Sequence, residues 1–365
     1  STDAEKSAYA LEIGTAAELA SFRDMVNSGM TYAGLTVKLT ADIDLSSQGN
    51  WNPIGNRYAL NDGTPVDTTK EDGKAYRKAF MGTFDGQGHT ISGLFINTAD
   101  VSYKGVKMGN SDSTYAALFG YVDKATVKNF TVNGLVSGCD VAGVIGILGE
   151  GCTVDSVVSN VTVGGQTGVN EESSARGKVG GIVNMTKGDN STISNCINNG
   201  AVSNGLNSEG KGDYAGGIIA LIQHKQITIE NCKNTGEVTS AGNYAGGIVG
   251  VAISQTENIN EGITDNNSVY INKCENAGVV NATASYAGAI TGSCGIGSRV
   301  KIKDCKNIGT DNIKSGKDEW GNEQLKNLVG YFDSFDHRQD KNINGKLELD
   351  GTNVGHTTAK ISTLS

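Results

Sequence analysis

Proline and aromatic residues are scarce in this 365-residue chain, and long apolar runs are absent. Two prolines and 6% aromatic residues accompany 51 glycines. The glycines have no three-residue period, so this composition excludes collagen. No apolar run approaches the roughly 20 residues that cross a membrane as a helix. The sequence therefore predicts a protein that does not span a membrane.

Basic residues are also in deficit. Thirty Lys and Arg face 39 Asp and Glu, which gives a net charge of −9. A nucleic-acid partner would favour a basic surface, so we expect none. The chain begins STDAEKS, without the basic and apolar segments of a signal peptide. A trimmed mature form would look the same, so this beginning does not argue for the cytoplasm.

Metal-binding and cofactor motifs are missing too. The seven cysteines include no CxxC pair, and none of the four histidines belongs to an HExxH helix. Zinc sites and zinc peptidases use those spacings. Asp340 to Gly345 resembles the opening of a calcium loop, but the twelfth position is Gly351 instead of an acidic residue. We expect no cofactor, with Ca²⁺ as a weakly supported alternative.

The chain is instead rich in an internal repeat. Residues 244–250 read YAGGIVG, and close versions begin at positions 114, 140, 178, 214 and 286. A second phrase follows several copies, as NCINNGAVS at 195–203, NCKNTGEVT at 231–239 and KCENAGVVN at 273–281. A fixed phrase at variable intervals indicates a constant structural coil with inserted loops.

Each coil is predicted to hold three short strands. AGGIVG, ITIENC and GEVTSA, at 245–250, 227–232 and 236–241, have strand patterns and are separated by turn residues. Strands this short bury their apolar faces only when coils stack. The sequence predicts an all-β fold, a right-handed single-stranded parallel β-helix of about eight coils. Such a solenoid would be on the order of 40 Å tall.

The two ends depart from the repeat. Residues 1–34 are predicted to form an N-terminal cap with a helix at about 16–27, in which Thr15 and Glu18 form a capping box. The β-helix would occupy 35–310. Residues 311–365 would supply the last coil and a C-terminal cap or hairpin, with Asn344-Gly345 as the hairpin turn.

The GGIVG-like strands and the N-C-x-N-x-G phrase resemble the GLUG-motif repeats of bacterial surface proteins. Those repeats also occur in the non-catalytic parts of M26-type immunoglobulin A peptidases. LTADIDLSSQGNWNPIG at 39–55 and FMGTFDGQGHTISGLFIN at 80–97 resemble the β-helix entry of the same proteins. The resemblance covers about 35–310. It implies a secreted or surface-displayed, adhesin-like protein, with lipid or wall anchoring in the precursor, and it implies no particular ligand.

A column of cysteines recurs in the second phrase. Cys196, Cys232, Cys274 and Cys305 share one phase with Leu94, Phe130 and Val157, which indicates an inward core position. Stacked neighbours about 4.8 Å apart exceed the usual disulfide separation. We expect buried, reduced cysteines, with disulfides among some of them as an alternative. The preceding Asn129, Asn195 and Asn231 are predicted to form a partial amide ladder at a turn.

Binding residues are predicted where loops interrupt the repeat, at 56–79, 98–113, 164–177 and 251–268. Exposed aromatics suit glycans, and the candidate binding residues are Trp51, Tyr58, Tyr76, Arg77 and Tyr103. The alternative for Trp51 is packing under the first coil. The sequence thus favours binding of a glycan or a host or cell-surface protein through lateral faces and loops. The oligomeric state is left open.

Two other functions are kept as alternatives. A polysaccharide-active lyase or glycosidase would need carboxylates that face one cleft, yet no Asp-Asp pair occurs. Asp85, His89 and Ser92 lie close in sequence, but a triad needs groups converging from different elements. The sequence therefore leans against an enzyme. A passive structural spacer is the third possible function.

Overall fold

The structure of the chain is a computed structural model. It describes residues 11–56, 78–98, 115–138, 140–165, 177–205, 214–253, 268–284, 286–295, 299–309, 311–315, 327–333 and 346–350.

The described strands form two hydrogen-bonded sheets, one of 20 strands and one of 11. Every pairing between these strands is parallel. Outside these strands, the described residues Asn56 and Lys78 form an isolated antiparallel bridge. Strands pair with their counterparts in the next coil, so the predicted parallel β-helix is confirmed.

One coil, residues 244–282, shows the path of the chain. Its strands are Tyr244–Gly246, Val249–Ile253, Ser268–Asn272, Glu275–Asn276 and Val280–Ala282. The first two belong to the 11-stranded sheet and the other three to the 20-stranded sheet. The sequence predicts three strands per coil, whereas this coil has five. The glycine phrase forms two strands instead of one. Lys273, whose backbone is left-handed, separates the two-residue strand Glu275–Asn276 from the strand Ser268–Asn272.

Equivalent strands stack into five ladders, three in the larger sheet and two in the smaller. We number them in chain order, so the first three ladders form the larger sheet. The first ladder contains Leu11–Ile13, Thr36–Leu39, Thr83–Asp85, the starts of Thr126–Gly138 and Thr153–Gly165, Thr192–Ser194, Ile227–Glu230, Ser268–Asn272, Arg299–Lys303 and Lys346–Asp350. These ten rungs give a stack roughly 43 Å tall at about 4.8 Å per rung.

The second and third ladders share several strands, because Thr90–Asn97, Thr126–Gly138 and Thr153–Gly165 pass through both. The second ladder adds Ile43–Asp44, Ile197–Asn198, Lys233–Asn234, Glu275–Asn276 and Lys306–Asn307. The third adds Val202–Asn204, Val238–Ser240, Val280–Ala282 and Ile313–Ser315.

The fourth and fifth ladders are built from the glycine phrases. The fourth contains Val141–Ala142, Lys178–Gly180, Tyr214–Gly216, Tyr244–Gly246 and the start of Tyr286–Gly295. The fifth contains Phe119–Val122, Ile145–Leu148, Val183–Thr186, Ile219–Ile222, Val249–Ile253, the end of Tyr286–Gly295, and Asn327–Asp333.

A helix, α1 (Ala16–Ser28), packs at the N-terminal end. Thr15 and Glu18 form the predicted capping box, and Gly29 ends the helix with a φ of 113°. The Phe22 ring contacts the rings of Phe80 and Phe84, at centroid distances of 5.5 and 6.2 Å. The helix therefore closes the core of the first coils. The first rung, Leu11–Ile13, precedes it in the chain, so residues 1–34 are not a cap alone.

A short 3₁₀-helix, Ser46–Gln48, also lies near the N-terminal end. At the other end, Asn327–Asp333 and Lys346–Asp350 add a last coil. Lys346–Asp350 pairs in parallel with Arg299–Lys303. The strand predicted as one arm of a hairpin is thus a rung of the first ladder. The turn predicted at Asn344-Gly345 lies outside the described residues.

A buried asparagine ladder runs inside the second ladder. Asn198, Asn234 and Asn276 are 0% exposed. The Nδ2 atom of each donates to Oδ1 of the next asparagine, at 2.8, 2.9 and 3.2 Å, the last acceptor being Asn307. Each Nδ2 also donates to the glycine carbonyl oxygen two residues ahead, at 2.9 Å. Buried amides are stable only when satisfied in this way, so the ladder fixes the register between coils.

Candidate functional site

Trp51, predicted as a binding residue, is fully buried. Its indole N–H donates to the Leu118 carbonyl oxygen at 3.3 Å, and the Arg23 guanidinium lies 4.5 Å from the ring centroid. A ring enclosed in this way has no open face for a sugar. Trp51 is therefore not part of an exposed binding surface.

The other predicted binding residues cannot be placed. Tyr58, Tyr76, Arg77 and Tyr103 lie outside the described residues. So do most of the predicted loops, which leave 57–77, 99–114, 166–176 and 254–267 outside the description. These residues stay as predictions.

The four cysteines of the second phrase lie in one inward column. Cys196, Cys232, Cys274 and Cys305 are at most 1% exposed, and the six cysteines that the structure describes are free thiols. The Cys232 thiol lies 3.6 Å from the Ile193 carbonyl oxygen of the coil before it, which it can donate to. The thiols therefore fill the core and satisfy backbone carbonyl groups.

One member that the sequence assigned to this column is elsewhere. Leu94 pairs with Gly134, while Thr90 pairs with Thr131, so Leu94 does not share a column with Phe130. The turn between Asp85 and Thr90 is two residues longer than the equivalent turn of the next coil, which shifts the alignment. Leu94 is still a core residue at 1% exposure.

A column of left-handed residues forms the corner between the first and second ladders. We call it the corner column, and its members have φ between 50° and 59°: Asn129, Ser156, Asn195, Asn231, Lys273 and Asp304. Asparagine and aspartate tolerate this conformation better than most side chains. The predicted ladder is present in part, because Asn231 Nδ2 donates to Asn195 Oδ1 at 3.4 Å. The residue before each cysteine of the column is thus mainly a turn residue, and in two of the four coils it is asparagine.

Two concavities lie along this corner. The first, about 500 Å³, is lined by Gln87, Gly88, Asn129, Phe130, Thr131, Ser156 and Val158, and we call it the neutral pocket. The second, about 450 Å³, is lined by Lys273, Cys274, Glu275, Asp304 and Lys306, and we call it the charged pocket. Both volumes fall in the usual range for small-ligand sites. These two pockets are the candidate functional site.

The two pockets differ in their electrostatics. No side chain that lines the neutral pocket carries a charge, whereas the charged pocket has two lysines and two carboxylates. In the latter, Glu275 is already paired with Lys233 of the preceding rung at 2.7 Å. The charged pocket is thus partly neutralised by its own neighbours.

Two carboxylates stand behind the neutral pocket. Asp85 Oδ1 accepts hydrogen bonds from the Gln87 backbone N–H and from Asn129 Nδ2, both at 3.1 Å. Asp155 accepts from the hydroxyl groups of Ser156 and Ser194, at 2.9 and 2.7 Å. Lys128, on the rung between these aspartates, lies 3.4 Å from Asp85.

These contacts determine the protonation of both aspartates. Burial raises the pKa of Asp85, but the hydrogen bonds from Gln87 and Asn129 and the Lys128 charge outweigh it and lower that pKa. Burial also raises the pKa of Asp155, but the hydrogen bonds from Ser194, Asn195 and Ser156, together with the charge of Lys128, outweigh burial and lower that pKa. A general acid and base pair would need pKa values that are pushed apart. The geometry instead suits two structural carboxylates that are both ionised at neutral pH.

The sequence cluster of Asp85, His89 and Ser92 does not form a catalytic relay. His89 Nδ1 lies 3.1 Å from Asp42 Oδ1, and the Ser92 hydroxyl donates to the Ile43 carbonyl oxygen at 3.4 Å. In the described residues, no group of three or more His, Cys, Asp or Glu side chains could hold a metal ion. The calcium-like segment that begins at Asp340 lies largely outside them. No described helix is long and apolar enough to cross a membrane.

Sequence reasoning missed the corner site because it searched for aromatic residues in loops. A signal was available in the repeat itself, where a polar residue precedes the inward cysteine or its equivalent in successive coils. That position marks a sharp turn whose side chain must lie outside the core. The sequence analysis did align Asn129, Asn195 and Asn231 at this turn, but it gave them a structural role alone.

The fold and the corner site define a parallel β-helix with two separate, open concavities along one corner. The chain is similar over 95% of its length to a crystal structure of a candidate immunoglobulin A1 protease from Bacteroides ovatus, with a TM-score of 0.57, 18% identity and 85% of that chain covered. At this identity the likeness shows the fold alone.

A curated relative is halomucin from Haloquadratum walsbyi. It is 30% identical over 177 residues, which cover 46% of this chain and 2% of halomucin. The chain therefore spans a very small part of that relative's length. No family model matches the chain.

Proposed function

We propose that this chain is a β-helical module of a secreted or cell-surface bacterial protein, and that it binds a glycan or a surface protein through its lateral corner and loops. The observation that carries the proposal is the pair of concavities on one straight corner. Both lie on a rigid ladder whose interior asparagines and cysteines fix the register. Sites on regular strands are held more firmly than sites on loops.

Three further observations support this proposal. The repeat phrases resemble GLUG motifs, which imply surface display. The names of the two similar proteins, halomucin and a candidate immunoglobulin A1 protease, fit an extracellular location. The carboxylates nearest the neutral pocket are committed to structural hydrogen bonds, which favours binding over hydrolysis.

The experiment is a binding screen of the whole chain against a glycan array and a panel of matrix and mucosal proteins. The same screen is run on a corner variant, Ser156→Gly with Lys273→Gly, which keeps the left-handed turns and removes one lining side chain from each pocket. A matched control removes two amides from the neighbouring corner, Asn160→Ala with Asn199→Ala, which are joined at 2.9 Å.

We expect binding to at least one class, weakened in the corner variant and retained in the control. Binding retained in both variants would remove the corner from the proposal. Failure of the whole chain to bind any member of either panel would contradict the proposed function itself.

A passive spacer is the second candidate, and one observation favours it. Six threonines occupy one outward register of the first ladder in consecutive rungs: Thr36, Thr83, Thr126, Thr153, Thr192 and Thr228. This column makes an even polar face that suits a stalk. The binding screen separates the two functions, because a spacer would bind nothing.

A further inference from the structure

We propose that the neutral pocket binds a neutral sugar unit of an extended glycan. This inference rests on the proposed binding function and names the ligand class for one of its two concavities. Its evidence is the chemistry of the lining residues, the way they are held, and the charges that stand behind them.

The lining combines polar groups with apolar surface. Gln87 and Asn129 supply amides, and Thr131 and Ser156 supply hydroxyl groups. Amides and hydroxyls both donate and accept, as sugar hydroxyl groups require of a partner. Val158 is half-buried beside them, and Phe130 is nearly fully buried beneath. An apolar patch with a few convergent polar groups is the usual composition of a small-ligand site.

The polar groups are held in place before any ligand arrives. The Gly88 N–H donates to the Asn129 carbonyl oxygen at 2.8 Å, which ties the two walls of the pocket together. The Asn129 side chain donates one Nδ2–H to Asp85 at 3.1 Å, and this leaves its Oδ1 atom and second Nδ2–H for a ligand. Groups fixed in this way lose little conformational entropy on binding.

The charges behind the pocket select against an acidic sugar. Asp85 and Asp155 stand on either side of Lys128, so the local balance is one negative charge. The whole chain carries −9. A carboxylate or sulfate group on the ligand would be repelled, whereas hydroxyl groups would not. The lining of the charged pocket holds two lysines and two carboxylates, so its charges balance and do not select against an acidic sugar.

The test uses the whole chain and defined probes. These are neutral oligosaccharides of two to four glucose, xylose or mannose units, with oligogalacturonate of the same lengths as the acidic counterpart. Affinity is measured by calorimetry and by ligand-observed NMR. The pocket variant is Gln87→Gly, Thr131→Val and Ser156→Gly, in which glycine keeps the positive φ of residues 87 and 156. The matched control is Asn190→Gly, at an exposed left-handed position that lines neither pocket.

We expect at least one neutral probe to bind, a loss of tenfold or more in the pocket variant, and no change in Asn190→Gly. Removing hydrogen bonds at the site accounts for a loss of that size. Thermal unfolding of each variant shows that it is folded. Equal affinity in the wild type and the folded pocket variant would overturn the inference.

Two further outcomes separate this inference from the proposed function. If only oligogalacturonate or a protein binds, the neutral-sugar assignment fails and the binding function stands. If neither probe set nor the array and protein panels bind, both fail.

Discussion

Gly217 faces the carboxamide of Asn234 so closely that a Cβ atom at residue 217 would lie 2.6 Å from Asn234 Oδ1. The same Cβ would lie 2.0 Å from the Gly247 carbonyl oxygen of the next coil. The second glycine of YAGGIIA and the asparagine of NCKN are therefore two halves of one interior contact. Gly181 with Asn198, and Gly247 with Asn276, repeat it. The repeated phrases are coupled because they pack against each other inside the coil.

The first prediction concerns the buried asparagine ladder. Asn234→Ala removes an amide that makes three hydrogen bonds and leaves buried partners without replacements. We expect a loss of about 3 kcal/mol in the free energy of unfolding. Urea denaturation measures it. The control is Asn199→Ala, at an exposed position in the preceding copy of the phrase, and it should lower the free energy of unfolding by less than about 1 kcal/mol. Similar losses in both would contradict the ladder's role.

The second prediction concerns the corner column. Lys273 has a φ of 50°, a conformation that asparagine adopts more readily than lysine. Lys273→Asn should raise the free energy of unfolding by about 0.5 kcal/mol. The control is Lys233→Asn, in the strand Lys233–Asn234, which breaks an ion pair and should not stabilise. Chemical denaturation compares the two variants, and a stabilised Lys233→Asn with a destabilised Lys273→Asn would refute the assignment.

The sequence was sufficient to predict the parallel β-helix, since each copy of the glycine phrase marks one coil. It also indicated the inward cysteines, because Leu, Phe, Val and Cys seldom share an exposed column. It did not identify Asn234 as buried. Alternation from Cys232 places residue 234 inside, but an interior asparagine makes sense only when its partners in neighbouring coils are known.

Turn length and burial of single side chains were harder to predict. Two extra residues between Asp85 and Thr90 displaced Leu94 from its assigned column, and phrase similarity cannot reveal such a shift. Trp51 was a candidate for exposure because it lies outside the repeat phrases, with packing under the first coil as the alternative. The structure favours that alternative, and the partners of the ring, Leu118 and Arg23, are distant in sequence.

The third prediction concerns thiol reactivity. Burial raises the pKa of Cys152 to about 11 and that of Cys294 to about 12. Thiolates are the reactive form, so both the burial and the raised pKa slow modification. In a Cys139→Ser variant, we expect the five thiols whose pKa is raised to be silent toward a disulfide reagent at pH 8 and to react after unfolding: Cys152, Cys196, Cys232, Cys274 and Cys294. The hydrogen bond with Cys274 lowers the pKa of Cys305, so burial alone protects that thiol. Rapid reaction of several thiols in the folded variant would contradict the inward column.

The fourth prediction concerns acid stability. The pKa of Asp155 is lowered in the folded chain, so its ionised form stabilises the fold above the unfolded pKa of about 3.9. That stabilisation is lost as the pH falls through the lower, folded pKa. Asp155→Asn should therefore lower stability at pH 7 and flatten its decline below about pH 4. Urea midpoints at several pH values check this, with Asp24→Asn on the exposed helix surface as the charge control.

The central claim is that buried members of the repeat build the scaffold while the corner residues contact the ligand. Ser156 and Ser159, three residues apart on one strand, separate these roles. Ser156 lines the neutral pocket at a φ of 54°, and Ser159 is 0% exposed. The decisive measurement is neutral-oligosaccharide affinity and urea midpoint for Ser156→Gly and Ser159→Ala. The account predicts weaker binding with only a small fall in the midpoint for Ser156→Gly, from the lost hydrogen bond to Asp155, and a larger fall with unchanged affinity for Ser159→Ala. The reverse pattern would contradict it.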